Sequence, residues 1–461
     1  MNGQTVLVLG LGESGLAMAQ WLARQGARVR AADTRAAPPH GAELARTAPQ
    51  VELVTGPFTN QLLAEVGLLA IGPGLAQSEP VVQEARRRGI PVTGEIELFA
   101  QALRDLGWRA DCRIVAITGT NGKTTVTSLV GALGLAAGVD TAVAGNISPA
   151  ALTELMRRVD AKQPPRLWAL ELSSFQLETI DSLDADAATV LNVTDDHLDR
   201  YDGLDGYAAA KTRIFGGRGV QVLNREDPRV AAMALPGRIS VSFGLDAPPT
   251  DADFGLAGQD GEIWLMAGRE PILPMKDLPL SGSHNAANAL AALALCRAVG
   301  LPMADLTKGL LAFRGLPHRV EPVAELSGVV FYDDSKGTNV GATLAALQGL
   351  GRKVALIAGG EGKGQDFSPL RAAVDAHARA VVLIGRDAPL IEAALRGTSA
   401  PLLHAGSMEE AVDKAFAAAR PGDAALLSPA CASFDMFRNY AHRAEVFIAA
   451  VRALRPKDQT C

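Results

Sequence analysis

Cysteine is scarce in this sequence, and its few cysteines do not cluster. The four residues, Cys112, Cys296, Cys431 and Cys461, lie far apart and form no CxxC pair. Small secreted proteins that depend on disulfides have a compact cysteine framework instead. We therefore expect free thiols that pack as small hydrophobic groups in a reducing compartment.

A dense run of lysine or arginine is also missing. The chain carries 44 basic and 50 acidic residues, which gives a net charge of −6 at pH 7. Surfaces that bind nucleic acids or anionic membranes usually concentrate positive charge. We expect neither partner, and a polyanionic ligand would have to be held by a focused site.

The N-terminal segment lacks the features of a membrane or export signal. MNGQTVLVLGLGESG has no cationic leader, and its apolar run ends at a glycine loop after five residues. A membrane-spanning helix needs about 20 apolar residues, and a signal peptide begins with positive charge. The segment is interpreted as neither, so the sequence predicts a cytoplasmic protein.

Short apolar runs that alternate with helical patterns fill most of the chain. A length of 461 residues allows three domains of about 150 residues each. The alternation is typical of parallel sheets covered by helices on both faces. Predicted strands occupy residues 5–10, 29–33, 113–119, 167–172, 188–193, 353–360, 381–386 and 424–430.

Two segments are candidate domain boundaries, the polar stretch 104–111 and RGLPHR at 314–319. The stretch 245–271 interrupts the α/β rhythm, and its turn from Gln259 to Glu262 predicts a small hairpin. The expected domains are 1–104, 105–315 and 316–461.

The first glycine loop follows the first predicted strand. Gly10, Gly12 and Gly15 form a GxGxxG pattern that opens a helix, and Asp33 ends the next strand 18 residues later. Such a loop places backbone N–H groups and a helix N-terminus against a pyrophosphate. A nicotinamide or flavin nucleotide, another diphosphate-bearing ligand and a structural turn all remain compatible with it.

The second glycine loop, ITGTNGKTT at 117–125, departs from the usual phosphate-loop spacing. Gly119 and Gly122 are closer together than the glycines of the common GxxxxGK[ST] pattern. The loop still offers backbone N–H donors, Lys123, and the hydroxyls of Thr124 and Thr125. Phosphoryl transfer needs these groups, so the loop predicts a nucleotide site, with an ordinary strand–helix turn as the alternative.

Three polar residues follow neighbouring predicted strands. Glu171 closes one strand, His197 comes just after the next, and Lys211 lies in the helix that follows. Ligands of open α/β sheets bind at the carboxyl ends of the strands. Each residue alone has a structural explanation, such as a cap, a structural histidine or a surface lysine. Together with the phosphate loop they favour a metal–nucleotide site.

The motifs in combination resemble the Mur ligases of peptidoglycan synthesis. Those shared with the family are GTNGKTT (119–125), ELSSFQ (171–176), NVTDDHLDRY (192–201), KTRIF (211–215) and His284-Asn285. Those that resemble its D-glutamate-adding branch are LPHR (316–319), DSKGTN (334–339) and SPACASF (428–434). The resemblance covers the whole chain in order, and it implies that the short glycine spacing is the family's own form of phosphate loop.

The resemblance implies a three-domain α/β fold and an ATP-dependent ligase. A Rossmann-like N-terminal domain, a central P-loop ATPase-type domain with a mainly parallel sheet, and a Rossmann-like C-terminal domain are expected. The γ-phosphate of ATP would pass to the carboxylate of UDP-N-acetylmuramoyl-L-alanine, and the amine of glutamate would attack the acyl phosphate. L-glutamate remains an open alternative to D-glutamate, because charge alone does not report chirality.

The resemblance also implies three sets of binding residues. Those expected at ATP are Gly119, Thr120, Asn121, Gly122, Lys123, Thr124, Thr125, Asn285, Asn288, Arg319 and Asp334. Those expected at the UDP substrate are Gly12, Glu13, Ser14, Thr34, Arg35, Gly74 and Asn146. Those expected at glutamate are Lys336, Thr338, Lys363, Ser433 and Phe434.

The catalytic residues implied are Lys123, Glu171, His197 and Lys211. Thr124, Glu171, His197 and Lys211 would hold two Mg²⁺ ions, with Lys211 converted to a carbamate. An unmodified ammonium would repel the metal, whereas a carbamate supplies an anionic oxygen.

Two departures from the family pattern bear on the UDP contacts. Gly72-Pro73-Gly74 stands where Ser-Pro-Gly is expected, and Glu13 occupies a position where an apolar residue is common.

Other functions account for fewer of the motifs. A nicotinamide-dependent oxidoreductase built on the Gly10 loop leaves 117–125, Glu171, His197 and 334–339 without a role. A non-catalytic nucleotide sensor would use the same loops without turnover. A folate polyglutamylating ligase would share the central motifs, but not a uridine-type first domain.

We expect a monomer whose partners are its small-molecule substrates.

Overall fold

The computed structural model describes residues 3–196, 200–259, 261–280 and 282–455. Within these ranges the chain forms three sheets of five, nine and six strands. Helices lie between most successive strands. The predicted α/β class is confirmed.

The first α/β unit, residues 5–105, is built on a parallel sheet with the strand order β3-β2-β1-β4-β5. Its elements are β1 (Thr5–Leu9), α1 (Glu13–Arg24), β2 (Arg28–Asp33), α2 (Gly41–Thr47), β3 (Glu52–Thr55), β4 (Leu68–Ile71), α3 (Pro80–Arg87), β5 (Val92–Thr93) and α4 (Glu95–Asp105). The central strand β1 is almost entirely apolar because both faces of this sheet are covered.

The second α/β unit, residues 113–312, has the strand order β14-β13-β12-β11-β10-β9-β6-β8-β7. Its first elements are β6 (Arg113–Thr118), α5 (Lys123–Ala136), β7 (Thr141–Gly145), α6 (Ala151–Ala161), β8 (Leu167–Glu171), α7 (Ser174–Leu177), β9 (Ala187–Val190) and α8 (Gly203–Thr212). The remainder are β10 (Val220–Asn224), α9 (Pro228–Ala231), β11 (Ser240–Phe243), β12 (Phe254–Gln259), β13 (Glu262–Ala267), β14 (Glu270–Pro274), α10 (Ser283–Ala298) and α11 (Met303–Ala312).

Strands β12 and β13 form the predicted excursion. β12 and β13 pair antiparallel with Gln259 opposite Glu262, so the hairpin is confirmed, although Asp260 in its turn lies outside the described residues. β14 adds a third antiparallel strand at the edge of the sheet.

The third α/β unit, residues 316–453 including the segment before its first strand, has the strand order β15-β16-β20-β17-β18-β19, and only β15 runs antiparallel to its neighbour. Its elements are β15 (Glu321–Leu326), β16 (Val329–Asp333), α12 (Val340–Gly349), β17 (Val354–Gly359), α13 (Leu370–His377), β18 (Ala378–Ile384), α14 (Ala388–Leu395), β19 (Leu402–His404), α15 (Met408–Ala418), β20 (Ala424–Leu427) and α16 (Tyr440–Ala453). The predicted domain boundaries fall between the sheets, and their exact positions stay predictions.

The first and second units share one hydrophobic core, whereas the third unit has its own. One cluster of buried side chains contains Val8 of the first unit and Leu155 of the second. Phe99 of α4 packs edge-to-face on Trp168 of β8, with the ring centroids 4.8 Å apart. The buried clusters of the third unit contain only its own residues. The first two units are therefore packed as one body.

Two expectations from composition can be compared with the fold. Cys112, Cys296 and Cys431 are buried free thiols, as expected, and Cys461 lies outside the described residues. Across the described ranges, none of the helices combines the length and apolar character needed to span a bilayer.

Helix α1 packs closely against the end of β1 because residue 15 is glycine. A Cβ atom at Gly15 would lie 1.8 Å from the carbonyl oxygen of Gly10. A backbone oxygen cannot give way unless the whole helix moves. The third glycine of the first loop is thus required for the contact between helix and strand.

Gly15→Ala is expected to destabilise the protein by about 2 kcal/mol or more, because it forces α1 away from β1. Gly12→Ala is the matched control, since a Cβ atom there meets nothing within 4 Å. Urea unfolding followed by far-UV circular dichroism compares the two. Equal midpoints for both variants would contradict the packing argument.

Candidate active site

The second glycine loop joins β6 to α5 at the carboxyl end of the central sheet. Gly122 precedes the helix with φ of +83°, and a Cβ atom there would lie 2.6 Å from Oδ1 of Asn288. Both observations require glycine at this position. Lys123, Thr124 and Thr125 then form the first turn of α5, where backbone N–H groups lack intrahelical acceptors and suit an anion.

The segment after β9 holds this loop in place. Asn192 accepts a hydrogen bond from the N–H of Asn121 at 2.8 Å and donates one to its carbonyl at 3.2 Å. The hydroxyl of Thr120 accepts from the N–H of Thr194 at 3.0 Å. These hydrogen bonds therefore fix the shape of the loop.

Two lysine side chains meet at one backbone oxygen. Lys123 Nζ donates to the carbonyls of Gly119 and Thr120, both at 2.8 Å, and Lys211 Nζ donates to Gly119 at 3.0 Å. Burial lowers the pKa of both amines, and the charge of Lys123 lowers that of Lys211 further, to well below its usual value. Lys211 is 1% exposed, so the alternative of a surface lysine is wrong.

Glu171 ends β8 and is buried beside the loop. Its Oε1 accepts a hydrogen bond from Nδ2 of Asn146 at 2.9 Å. Its Oε2 is buried without a hydrogen-bond partner among the described residues. An unpaired carboxylate oxygen in this setting is costly, and a bound cation would satisfy it.

The predicted metal ligands are thus partly brought together. Thr124 and Lys211 both lie at the phosphate loop, and Glu171 is close enough to contribute to the electrostatic environment of Lys123. A hydroxyl and a carboxylate are hard oxygen donors of the kind that Mg²⁺ prefers. His197 lies outside the described residues.

A cavity of about 370 Å³ opens between the second and third units. Predicted ATP residues from both units line it: Asn121, Gly122, Thr125, Asn285, Asn288, Arg319 and Asp334. Phe243 and Leu245 add an apolar wall. The combination of one apolar wall and amide side chains beside a phosphate loop suits a purine nucleotide.

Two hydrogen bonds connect the third unit to the phosphate loop. Arg319 donates to the hydroxyl of Thr124 at 2.9 Å, and Asn339 donates to Oδ1 of Asn121 at 3.1 Å. Burial lowers the pKa of Arg319 and raises that of Asp334 to about 7, although the charge of Arg319 opposes the latter shift. The described conformation therefore has the third unit closed against the loop.

A second cavity, of about 430 Å³, lies at the first glycine loop. It is lined by all seven residues predicted for the UDP substrate: Gly12, Glu13, Ser14, Thr34, Arg35, Gly74 and Asn146. Asn146 belongs to the second unit, so the cavity is shared between the units. Phe58 and Gln176 also line it and were not predicted, although Gln176 closes the ELSSFQ motif.

The carboxylate of Asp33 accepts hydrogen bonds from residues around it. It accepts from the N–H of Leu11 at 2.7 Å and from the guanidinium of Arg35 at 2.8 and 2.6 Å. The Arg35 guanidinium holds the pKa of Asp33 well below its usual range. A carboxylate used in this way is poorly placed to bind the ribose of a nicotinamide nucleotide, which counts against the oxidoreductase alternative.

The side chains of Glu13 and Ser14 make contacts that the glycine pattern does not predict. Glu13 accepts from the hydroxyl of Ser148 at 2.6 Å, and Ser14 donates to Glu95 at 2.9 Å. Burial raises the pKa of Glu95. Nothing in the motifs singled out Glu95, because its partners are distant in sequence.

The residues predicted for glutamate lie on three loops that follow β16, β17 and β20. These strands are neighbours in the third sheet. The N–H of Ala430 donates to Gly337 at 3.0 Å, and Glu361 pairs with Ala432, so the loops are joined. Residues predicted for glutamate are found on each loop: Lys336, Thr338, Lys363, Ser433 and Phe434.

The side chains on these loops differ in their surroundings. Lys336 Nζ lies 3.8 Å from the ring centroid of Tyr440, and burial lowers its pKa. Ser433 is buried, whereas Phe434 is 65% exposed and Lys363 is exposed. Lys363 also adopts φ of +52°. The five residues therefore lie on neighbouring loops, but their side chains are not gathered into one closed pocket.

Family models match three successive parts of the chain. They are the Mur ligase MurD-like N-terminal domain at residues 4–94, the Mur ligase middle domain at 117–296, and the Mur ligase glutamate ligase domain at 318–431.

Curated relatives are similar over nearly the full length. The UDP-N-acetylmuramoylalanine--D-glutamate ligase of Aromatoleum aromaticum is 62% identical over 98% of both chains. The enzyme of the same name from Nitrosospira multiformis is 58% identical over 99% of this chain and 96% of its own.

Solved structures share the fold at much lower identity. UDP-N-acetylmuramate-alanine ligase MurC of Thermotoga maritima has a TM-score of 0.60 at 19% identity, over 98% of this chain and 99% of its own. MurF of Acinetobacter baumannii has a TM-score of 0.60 at 20% identity, over 97% of this chain and 91% of its own. Because the full-length relatives and the ordered domain models agree, the protein belongs to the Mur ligase family.

Proposed function

We propose that the protein is an ATP-dependent ligase that joins D-glutamate to UDP-N-acetylmuramoyl-L-alanine through an acyl phosphate, in a cytoplasmic step of peptidoglycan synthesis. One observation carries the proposal. Asn146 lines the cavity at the first glycine loop and donates its amide to Glu171, which lies beside Lys123 of the phosphate loop. The hydrogen bond between Asn146 and Glu171 thus connects the sugar-nucleotide cavity to the phosphate site, and transfer between their ligands requires such proximity.

The reaction has two balanced steps. A carboxylate oxygen of the UDP substrate attacks the γ-phosphorus of ATP, and ADP leaves. The amine of glutamate then attacks the acyl carbon, inorganic phosphate leaves, and the amine loses a proton. The first step turns a poor electrophile into a good one, and it depends mainly on positioning and on neutralising phosphate charge.

Lys123 and Arg319 supply positive charge for this transfer. Lys123 stands at the start of α5, and Arg319 reaches Thr124 from the third unit. Burial strengthens the interaction of both with phosphate oxygens, because water screens them less. Since Arg319 comes from another unit, closure of the third unit completes the charge complement.

The residues at the phosphate loop fit a magnesium ion. Glu171 has one buried carboxylate oxygen without a hydrogen-bond partner in the described chain, and Thr124 has a hydroxyl in the first turn of α5. We propose that these two hold one ion and that His197 and Lys211 take part in a second. Bound Mg²⁺ would neutralise charge on the phosphates.

Lys211 is proposed to carry a carbamate. A carbamate forms from a neutral amine and CO₂, and burial beside Lys123 keeps the pKa of Lys211 well below its usual value. The two lysines share the carbonyl of Gly119, where two ammonium groups would repel each other. Carbamylation would replace that repulsion with attraction and would provide an anionic oxygen.

The third unit is proposed to hold glutamate. Lys363 would pair with a carboxylate, and Thr338, Ser433 and Phe434 would complete the pocket together with Lys336. D-glutamate is proposed from the names of the full-length relatives. One chain contains residues for all three ligands, so we propose a monomer.

The proposal is tested by incubating the protein with ATP, Mg²⁺ and UDP-N-acetylmuramoyl-L-alanine and offering each glutamate enantiomer in turn. We expect phosphate release and a product heavier by one glutamyl group with D-glutamate only. A product formed with L-glutamate only would establish the other enantiomer, and equal yields would show that the enzyme does not distinguish the two. Phosphate release that does not depend on the UDP substrate would contradict the ligase function.

Lys211→Ala is expected to lower the rate by about 100-fold or more, because it removes a metal ligand. Short carboxylic acids should restore part of the rate by supplying the missing carboxylate. Lys308→Ala, at an exposed lysine of α11, is the control. Incubation of the wild type with ¹³C-bicarbonate should give a carbamate signal by NMR that the variant lacks, and an unimpaired variant would refute the role.

Lys363→Gln is expected to raise KM for glutamate by about ten- to a hundredfold, through loss of a charge-assisted hydrogen bond. KM for the UDP substrate should change little. Lys414→Gln, at a partly exposed lysine of α15 in the same unit, controls for surface charge. Steady-state kinetics with each substrate varied in turn provides the measurement, and a KM increase confined to ATP would assign Lys363 elsewhere.

A further inference from the structure

The carboxylate of Glu13 connects the first unit to the second. Its Oε1 accepts hydrogen bonds from the hydroxyl of Ser148 at 2.6 Å and from the N–H of Ala150 at 3.0 Å. Both donors belong to residues 146–150, which we call the β7–α6 loop. One oxygen of a first-unit side chain thus accepts both bonds from this loop.

The other end of the β7–α6 loop is tied to the proposed metal site. Asn146 donates its N–H to the carbonyl of Glu171 at 2.7 Å and its side-chain amide to Oε1 of Glu171 at 2.9 Å. The amide therefore fixes one carboxylate oxygen of Glu171, and the other oxygen has no hydrogen-bond partner among the residues that the structure describes. A displacement of the loop would reach the carboxylate through the bond to its Oε1.

Helix α6 is also held by a contact that does not involve Glu13. Its N-cap is Ala150, which has no side chain able to cap it. Glu95, which is buried, accepts from the N–H of Leu152 at 3.0 Å. Loss of Glu13 would therefore leave the start of α6 anchored and would release mainly the loop before it.

Electrostatics also favours a structural role for the Glu13 carboxylate over direct contact with a diphosphate. An uncompensated negative charge in a cavity for a diphosphate would repel the ligand. The N–H of Ala150 lies at the start of α6, where a helix favours negative charge, and the Ser148 hydroxyl adds a second donor. The charge of Glu13 is thus compensated by the second unit.

We propose that Glu13 is a positioning residue: by holding the β7–α6 loop it fixes Asn146 and, through Asn146, the carboxylate of Glu171. The inference rests on the proposed function and deepens it. It replaces the expected direct contact of the Glu13 side chain with UDP by a mechanical link between the sugar-nucleotide cavity and the metal site.

Two variants at this position separate charge from hydrogen bonding. Glu13→Gln removes the charge but keeps one carbonyl oxygen, which is all that the two donors need. Glu13→Leu removes both the charge and the acceptor. Any effect of charge on the diphosphate should appear in both variants, so their difference reports the hydrogen bonds alone.

We expect Glu13→Leu to lower kcat by about three- to tenfold and to raise the Mg²⁺ concentration for half-maximal rate by a similar factor, as loss of one or two hydrogen bonds predicts. Glu13→Gln should recover most of both losses. Thermal melting of each variant, which Glu95 should keep near that of the wild type, serves as the control. Equal kcat and equal Mg²⁺ dependence for the two variants would overturn the inference, as would a change in KM for the UDP substrate alone.

A double-mutant cycle with Ser148→Ala gives an independent test. Ser148→Ala should lower kcat in the wild type and have little further effect in Glu13→Leu, because the shared hydrogen bond is already lost. Equal effects in both backgrounds would exclude the coupling. A wild type that forms no product would refute the proposed function itself, and an active wild type with uncoupled variants would refute only the role of Glu13.

Discussion

Charge buried in a small volume is the constraint on which the site depends. Lys211 and Glu171 are buried at the end of the central sheet, Lys123 lies partly buried beside them, and Arg319 joins them from the third unit. Buried charges are costly unless partners replace their hydration. Backbone carbonyls of the loop satisfy the lysines only in part, and one oxygen of Glu171 has no partner in the described chain. The protein thus holds charges in an arrangement that phosphates and cations would complete.

Two kinds of contact between units keep this arrangement in place. A continuous core and the hydrogen bonds of Glu13 and Glu95 join the first unit to the second. The third unit has separate cores and reaches the phosphate loop through Arg319 and Asn339. The cavity at the first glycine loop is therefore joined to Glu171 through one continuous core, whereas the third unit meets the phosphate loop from a body with its own cores. A reaction that must admit three ligands benefits from this division.

Local patterns in the sequence predict much of the fold, and contacts between distant residues account for what they miss. Strand β6, the short loop before Lys123 and the hairpin at 259–262 follow from apolar runs and turn residues. Glu171 at a strand end is equally visible. The burial of Lys211 is not, because helix periodicity alone does not show that the phosphate loop, which is distant in sequence, covers this side chain. The bond from Glu13 to Ser148 spans 135 positions, and no short motif encodes such a pair.

The outer strands of the two larger sheets bear on the behaviour of the chain at high concentration. β14 ends the nine-stranded sheet and contains Pro271 and Pro274, and β15 ends the six-stranded sheet and contains Pro322. Proline has no N–H to offer a further strand. Strands β14 and β15 are therefore poor templates for pairing with a strand of another molecule. This property protects a strand-rich protein from aggregating with copies of itself.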